Sequence, residues 1–304
     1  MHIAVVPASS QTGKATIRVL LNDQQVAPTV QGVYRNLSKV PSEFTCHTNF
    51  RSVQGNIGDV TTLDFSGIDA VFLTPPPCYD GSDSVEFTRS VCNNVKAAIQ
   101  KSGTVKRLVL LSSVGAQLPS GTGEIVTNHT AETILRDAAP EVVFVRCAYF
   151  MENWATVLET IKSEHPFFFS TITPLDYKVN MVAVKDIAQS VAAQLLATSS
   201  PQTLPESPYI YELYGPRLYT PRDVQAAFQQ AAGKDVEIKP VEKSELREFF
   251  GKVLPPSLAD GFTEMTVSFL PGGVMTQDVL DKFNPIVKRG KTELVEVIGE
   301  LYRG

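Results

Sequence analysis

The sequence predicts an α/β fold: a doubly wound parallel sheet with a smaller, partly interleaved C-terminal cap domain. Up to about residue 150, short apolar runs of strand length alternate with longer stretches of helical periodicity, a pattern typical of βαβ units. Beyond that point the alternation loosens. At 304 residues the chain is longer than a typical single domain, so a second, smaller domain is expected.

The first part of the chain contains six predicted strands and at least two clear helices. The strands are expected at residues 2–6, 30–35, near 53, 70–74, 107–112 and 142–147, because each is a short apolar run bounded by turn residues. The helices are expected at 85–101 and 127–138, where apolar residues recur at helical spacing. Ligands of such a sheet bind at the carboxyl ends of its strands.

The second part contains an aromatic run PFFF at 166–169, an amphipathic stretch at 186–196, a Pro/Ser-rich break TSSPQTLPESP at 198–208 and a helical C-terminus. We expect a dinucleotide-binding domain at 1–155, to which 178–215 returns. Residues 216–304, together with 156–177, are expected to form the substrate-binding cap. Asp186 is expected to cap a helix.

The composition excludes several classes of protein. Hydrophobic residues make up 43% and charged residues 19%, as in an ordinary globular protein. A net charge of −5 provides no basic field for direct nucleic-acid binding. No segment is long and apolar enough to span a membrane and no secretory signal is recognised, so a cytoplasmic location is expected. The four Cys and four His have no metal-ligand or disulfide spacing.

The first strand leads into PASSQTG, residues 7–13, and then into a helical pattern. A strand, a turn of small residues and a helix form the phosphate-binding unit of a Rossmann-like sheet, in which glycines let the backbone approach a pyrophosphate. Here Pro7 and Ser10 stand where glycines are expected, and only Gly13 remains. N–H groups and hydroxyls from Ser10 to Gly13 can still hold a phosphate; a turn that merely connects strand to helix is the alternative.

The second strand ends in GVYRNLSK, which bears on the choice of cofactor. NAD sites place an acidic residue near this point to accept the ribose hydroxyls, whereas an Arg there pairs with a 2′-phosphate. Arg35 occupies the place, with Asn36 and Lys39 close by. If a dinucleotide binds, NADP(H) is therefore expected; a solvated surface Arg is the alternative.

Several segments, taken in order, resemble the NmrA-like family of atypical short-chain dehydrogenases/reductases, which includes fungal redox-sensing regulators and small-molecule oxidoreductases. They are VVPASSQTGKATIRVLL, VYRNLSK, QGNIGD, GIDAVFLTPPP, VKRLVLLSSVGA, RCAYFMENW, NMVAVKDIA and ELYGPRLYTPRDV, and they extend over nearly the whole chain. Besides the two missing glycines, the chain departs from the family in having Asn56 for the common Asp. The resemblance implies cofactor contacts from Ser10, Gln11, Thr12, Gly13, Arg35, Asn56, Ile57, Thr74, Pro75 and Ser112.

The usual proton-handling groups of short-chain dehydrogenases are missing. None of the nine Tyr is followed by Lys four residues later. Many relatives carry a Lys four residues before the Glu of the helix predicted at 127–138, but TNHTAE has Asn128 there and retains Glu132. His129 is the first candidate for a general acid or base, since imidazole titrates near neutral pH, and a purely structural role is the alternative. Ser113 and Asn128 are the other catalytic candidates; Glu132 is expected to be structural.

A segment rich in aromatic residues follows the sixth strand, and four of its residues are candidates for binding a flat, apolar substrate: Tyr149, Phe150, Asn153 and Trp154. Phe167, Phe168 and Phe269 are candidates for further substrate contacts from the cap. A core role for these rings is the alternative.

Three functions remain open. The first is NADPH-dependent reduction of an aromatic or quinone-like small molecule in secondary metabolism, by hydride transfer. The second is a non-redox cyclisation, isomerisation or rearrangement on the same scaffold, which the missing Tyr/Lys pair favours. The third is a dinucleotide-sensing regulator with a protein partner, which needs no acid or base. Fold class does not decide among them.

Overall fold

The structure is a computed structural model that describes residues 1–199 and 204–304. Its strands, in chain order, are β1 His2–Val6, β2 Thr29–Tyr34, β3 Phe50–Gln54, β4 Ala70–Leu73, β5 Arg107–Ser113, β6 Glu141–Cys147, β7 Tyr149–Phe150, β8 Phe167–Ser170, β9 Val179–Val182, β10 Tyr209–Tyr214, β11 Leu218–Tyr219, β12 Glu237–Pro240 and β13 Val287–Arg289. Its α-helices are α1 Gln11–Leu21, α2 Ser42–Thr45, α3 Ser84–Ser102, α4 Val126–Leu135, α5 Leu158–Ile161, α6 Val184–Leu196, α7 Pro221–Ala232, α8 Leu246–Gly251, α9 Pro256–Phe269, α10 Gln277–Leu280 and α11 Leu294–Arg303.

The main sheet has eight strands in the order β13-β10-β6-β5-β4-β1-β2-β3. Strand β1 pairs in parallel with both β2 and β4, β2 pairs in parallel with β3, and β4 with β5. The first six strands therefore have the order 3-2-1-4-5-6 of a doubly wound dinucleotide-binding sheet. The predicted Rossmann-like α/β class is confirmed. Successive strands are added on one side of β1 up to β3 and on its other side from β4 onward, so the strand order switches between β1 and β4. In sheets of this kind the carboxyl ends of the two strands at the switch point flank the ligand-binding crevice.

The chain divides into two compact units. The first comprises residues 1–116, 127–146 and 187–211, and the second comprises 117–126, 147–186 and 212–304. This division differs from the predicted boundaries, because residues 117–126, 147–155, 178–186 and 212–215 all fall in the second unit. The reason is strand pairing: β7 pairs in parallel with β9, and β9 pairs with β11, in a three-stranded sheet of that unit.

The first unit is built around fully buried strands. All four residues of β4 are buried, as expected for a parallel strand covered by helices on both faces. Helix α3 presents Val91, Val95 and Ile99 to this core at helical spacing. It begins where the Asp83 carboxylate accepts hydrogen bonds from two first-turn N–H groups, and it ends at Gly103, whose positive φ of 65° terminates the helix.

The second unit has its own apolar core and two small sheets. Strand β8, which comprises most of the PFFF run, pairs in parallel with β12 and buries Phe168 completely. Helix α7 starts with a capping box between Thr220 and Asp223, with Pro221 in its first turn. These two capping residues come from the TPRD sequence, so the start of this helix is locally encoded.

The middle of the chain differs from its prediction at one helix and lies partly outside the described residues at another segment. Helix α6 begins at Val184, two residues before the predicted start, so Asp186 lies within its first turn rather than capping it. The Asp186 carboxylate instead accepts hydrogen bonds from the backbone N–H and the hydroxyl of Thr292, both at 2.9 Å. The predicted break at 198–208 lies partly outside the described residues, which omit 200–203.

Candidate functional site: the turn after β1 and helix α4

The turn after β1 is organised by Ser10. Its hydroxyl donates to the Pro7 carbonyl at 3.1 Å and accepts the Gly13 N–H at 2.9 Å, so it caps α1. The predicted phosphate-binding groups are therefore fewer than expected, because the Ser10 hydroxyl and the Gly13 N–H already bind each other. The N–H groups of Gln11 and Thr12 remain, since no helical carbonyl precedes them in the first turn. They lie at the positive end of the helix dipole, where an anion is stabilised.

Gly13 is the glycine that the turn requires. A Cβ at this position would lie 2.7 Å from Ser10 Oγ and 2.8 Å from the Pro7 carbonyl oxygen. Both distances are shorter than any ordinary contact of a Cβ atom, so any side chain would displace the turn. The turn is thus built for close helix–strand packing, as a dinucleotide-binding turn is, even with Pro7 and Ser10 in place of glycines.

The turn is tied to the neighbouring strands at the crevice. The hydroxyls of Thr12 and Thr74 lie 3.3 Å apart, and Thr74 follows β4 directly. The Ala8 N–H donates to the Val33 carbonyl at 2.9 Å. The structure therefore brings together the predicted cofactor residues Thr12 and Thr74, with Pro75 next in the chain.

Arg35 follows the carboxyl end of β2, which ends at Tyr34, one residue before the predicted end. Its side chain is exposed and is in no ion pair or side-chain hydrogen bond among the described residues. No acidic residue occurs in RNLSKV, residues 35–40. The Asn36 side chain accepts from the Ser38 N–H at 2.9 Å and so shapes the loop. An unpaired guanidinium and no carboxylate at this place suit a phosphate better than a diol.

The turn after β3 holds the next pair of predicted cofactor residues. The Asn56 side-chain oxygen accepts the Gly58 N–H at 3.0 Å, and the Asn56 N–H donates to the Thr62 hydroxyl at 2.8 Å. Ile57 is buried, and its carbonyl accepts from the Asn94 amide at 3.0 Å. The Asn that replaces the expected Asp thus makes a rigid turn whose side-chain NH₂ is still available as a donor.

Helix α4 carries the candidate acid or base. His129 is half-buried, and its Nδ1 lies 2.8 Å from the Ala116 carbonyl oxygen. A carbonyl only accepts, so Nδ1 carries a proton, and in the neutral ring Nε2 is then the lone-pair nitrogen. The contact fits the structural alternative and also fixes the tautomer that a general base needs.

The other catalytic candidates differ in how their side chains are used. The Ser113 hydroxyl donates to the Val114 carbonyl at 3.0 Å. Asn128 is half-buried, and its amide has no hydrogen-bond partner among the described residues. The Asn128 NH₂ can donate to an oxygen, and its carbonyl can accept from a hydroxyl, but the amide transfers no proton at neutral pH.

Ser112 and Glu132 form a buried polar cluster that sequence reasoning did not predict. The Ser112 hydroxyl donates to Glu132 Oε1 at 2.6 Å, and Arg146 donates to both carboxylate oxygens at 2.9 and 2.6 Å. Glu132 is only 7% exposed. Its expected structural role fits this geometry, since the cluster ties α4 to β5 and β6. The Ser112 hydroxyl already donates its hydrogen to Glu132, so it cannot also donate to a cofactor. A cofactor contact from Ser112 stays a prediction.

The substrate candidates belong to the second unit. Trp154 is 4% exposed and packs on Tyr149, with ring centroids 6.1 Å apart, and on the fully buried Phe168, 5.5 Å away. Burial raises the pKa of Tyr149 to about 12. Phe150 is half-buried, whereas Asn153 is exposed. Trp154 therefore fits the alternative role, in which its ring packs in the core, although its indole N–H has no partner among the described residues.

Membrane spans and metal sites are the remaining classes of feature. No helix in residues 1–199 or 204–304 is long and apolar enough to cross a membrane. The same part of the chain contains no group of three or more His, Cys, Asp or Glu side chains that could hold a metal ion.

Comparisons with solved structures give the fold. The Escherichia coli NADPH-dependent quinone oxidoreductase QOR2, complexed with NADPH, has 21% identity and a TM-score of 0.72, with 99% of this chain and 100% of that chain covered. The Citrobacter sp. triphenylmethane reductase complexed with NADP(H) has 17% identity and a TM-score of 0.71, at 99% and 100% coverage. NmrA, a negative transcriptional regulator in complex with NADP, has 16% identity and a TM-score of 0.67, at 99% and 95% coverage.

The resemblance to the NmrA-like group is confirmed at the level of the fold by these likenesses. No curated protein matches the chain by sequence. A family model described as NAD(P)H-binding matches residues 8–198, which include the turn after β1, Arg35 and helix α4. The predicted nicotinamide dinucleotide cofactor is thereby confirmed. This chain belongs to the NAD(P)H-binding family.

Proposed function

We propose that the protein is an NADPH-dependent oxidoreductase that reduces an aromatic or quinone-like small molecule, in secondary metabolism and in the cytoplasm. The observation that carries the proposal is the free guanidinium of Arg35 at the end of β2, where no carboxylate stands. A charge-assisted pair with a 2′-phosphate selects NADP(H) over NAD(H). The quinone oxidoreductase and the triphenylmethane reductase, both solved with NADPH or NADP(H), support the reaction class.

The turn after β1 fits the diphosphate of such a cofactor. The N–H groups of Gln11 and Thr12 lie at the N-terminus of α1. Position 13 has to be glycine, because a Cβ there would clash with the turn. The bound cofactor supplies the hydride. Asn56, Ile57, Thr74 and Pro75 are proposed as further contacts.

His129 is proposed as the group that handles the proton. Its Nδ1–H is held by the Ala116 carbonyl, so Nε2 is left to carry a proton toward the substrate oxygen or to receive one from it. Asn128 is proposed to hold that oxygen by a hydrogen bond, and Ser113 is the alternative donor. Tyr149, Phe150, Asn153 and Trp154 are proposed to contact an aromatic substrate.

The test is calorimetric titration with NADPH and NADH, followed by measurement of the nicotinamide absorbance while small quinones and aromatic carbonyls are added. We expect tighter binding of NADPH and its consumption with a quinone. His129→Asn should keep nucleotide affinity and lose turnover, whereas the control His165→Asn, at an exposed position, should keep both.

The other outcomes discriminate the alternatives. Tight NADPH binding that no substrate consumes would refute the reductase and favour a dinucleotide-sensing regulator. The likeness to NmrA, a negative transcriptional regulator solved in complex with NADP, makes this a specific second candidate. Absence of nucleotide binding would favour non-redox chemistry. Full turnover by His129→Asn would exclude His129 as the proton donor.

A further inference from the structure

The second unit contains a depression of about 750 Å³ at the carboxyl ends of β10 and β13. These strands run parallel and end at Tyr214 and Arg289, which are paired in register, and both residues line the depression. The carboxyl ends of parallel strands are where ligands of such sheets bind. None of the residues assigned above to cofactor, proton or substrate lines this depression.

Arg289 supplies a positive charge to the depression. Its Nη1 donates to the Gly215 carbonyl at 3.1 Å, which fixes the position of the guanidinium. The Tyr214 ring lies beneath it, with the centroid 5.6 Å from Cζ. In the described part of the chain, Arg289 is in no ion pair. A guanidinium has five N–H donors, so a planar fork remains for a carboxylate.

Asp281 supplies a negative charge in the same depression. Gln277 Nε2 donates to Asp281 Oδ1 at 2.7 Å, and Asn180 Nδ2 donates to Gln277 Oε1 at 3.1 Å. This chain of neutral amides orients the carboxylate without cancelling its charge. Within residues 1–199 and 204–304, Asp281 has no cationic partner, so the Asp281 and Arg289 side chains do not neutralise each other.

The rest of the wall is apolar. Leu218 and Val287 line the depression and are 40% and 42% exposed, which is high for large aliphatic side chains. The Tyr214 hydroxyl donates to the buried carboxylate of Glu212, so Tyr214 offers its ring rather than a free hydroxyl. The volume lies within the range of small-molecule sites, roughly 300–1,000 Å³.

We propose that this depression binds a zwitterionic small molecule of the α-amino-acid type, with its carboxylate on Arg289, its ammonium on Asp281 and an apolar side chain against Leu218 and Val287. Separated opposite charges fit a ligand that carries both. A simple carboxylic acid would leave the Asp281 carboxylate without a cationic partner, and a simple amine would leave the Arg289 guanidinium without an anionic one. The site is independent of the proposed reductase activity.

The test is calorimetric titration of the full chain, without nucleotide, with three probes of one shape: L-phenylalanine, hydrocinnamate and phenethylamine. We expect L-phenylalanine to bind at least about tenfold more tightly than either singly charged probe. Arg289→Gln should weaken L-phenylalanine and hydrocinnamate by about tenfold but leave phenethylamine unchanged. Asp281→Asn should weaken L-phenylalanine and phenethylamine but leave hydrocinnamate unchanged.

Lys282→Gln is the matched control, because Lys282 is exposed next to Asp281 and does not line the depression. It should leave all three affinities unchanged. Circular dichroism of each variant verifies folding. The proposal is overturned by absence of saturable L-phenylalanine binding, by equal affinities for the three probes, or by folded Arg289→Gln protein that binds L-phenylalanine as the wild type does.

Discussion

Glu132 offers the sharpest test of how the first unit is stabilised. Its carboxylate and the Arg146 guanidinium form a bidentate pair whose side chains are only 8% and 12% exposed. We predict that Glu132→Gln lowers the free energy of unfolding by about 3–5 kcal/mol, because it leaves the Arg146 charge buried and uncompensated. The amide keeps one acceptor for Ser112, so the loss reports chiefly on the charge.

The protein contains a matched control. Glu43 also accepts from an arginine, Arg18, at 2.6 to 3.2 Å, but these side chains are 49% and 50% exposed. Water and salt screen that pair, so Glu43→Gln should cost less than about 1 kcal/mol. The two variants therefore make the same substitution in similar bonding geometry and differ mainly in burial.

The assay is urea unfolding followed by far-ultraviolet circular dichroism, at low and at high salt. A third variant, Glu132→Gln with Arg146→Met, removes the uncompensated charge and should recover most of the lost stability. If Glu132→Gln costs no more than Glu43→Gln, or if the double variant is no more stable than the single one, burial of an unpaired charge is not what stabilises this cluster.

Three further predictions concern the nucleotide site and the thiols. Arg35→Ala should weaken NADPH binding by about 1.5–3 kcal/mol in calorimetry and leave NADH binding unchanged. Arg51→Ala, which makes the same charge change at the start of β3, should affect neither affinity. Equal losses of affinity for both nucleotides would contradict the assignment of Arg35 to the 2′-phosphate. Gly13→Ala should weaken nucleotide binding and lower the melting temperature by disturbing the turn, unlike Gly251→Ala, whose Cβ would meet nothing within 4 Å. Cys46 is the exposed cysteine, so Ellman's reagent should rapidly modify one thiol per native chain and four after denaturation; a second fast thiol would contradict the described burial of the other three.

Local sequence determined much of the first unit. Apolar runs between turn residues located β1, β4 and β5, and the periodicity of residues 85–101 located α3 within one residue at each end. The predicted bounds of β1 are exact, whereas the carboxyl ends of β4 and β5 each shift by one residue, to where the ladder of backbone hydrogen bonds stops. Helix α4 ends at Leu135 rather than at residue 138. The place of Arg35 at the carboxyl end of β2 was also predictable, because its distance from the turn follows from the length of one strand–helix–strand unit.

Tertiary structure alone decided which polar groups meet. Ser112, Glu132 and Arg146 lie on three different elements, and their bonds exist only because α4 packs beside β5 and β6. For Asp186, local pattern predicts a helix cap, but the carboxylate binds Thr292, 106 residues away in sequence. Contacts of this range depend on how buried faces pack, and a burial pattern fixes the face of an element without fixing its partner.

The sequence by itself determined the doubly wound α/β class, the nicotinamide dinucleotide family and the position of the turn after β1, because each is written in residues close together along the chain. Only the tertiary structure decided that Trp154 lies in an apolar core and that Arg289 and Asp281 line one depression. Periodicity and turn chemistry act over a few residues, whereas charge pairing and burial depend on distances that folding creates.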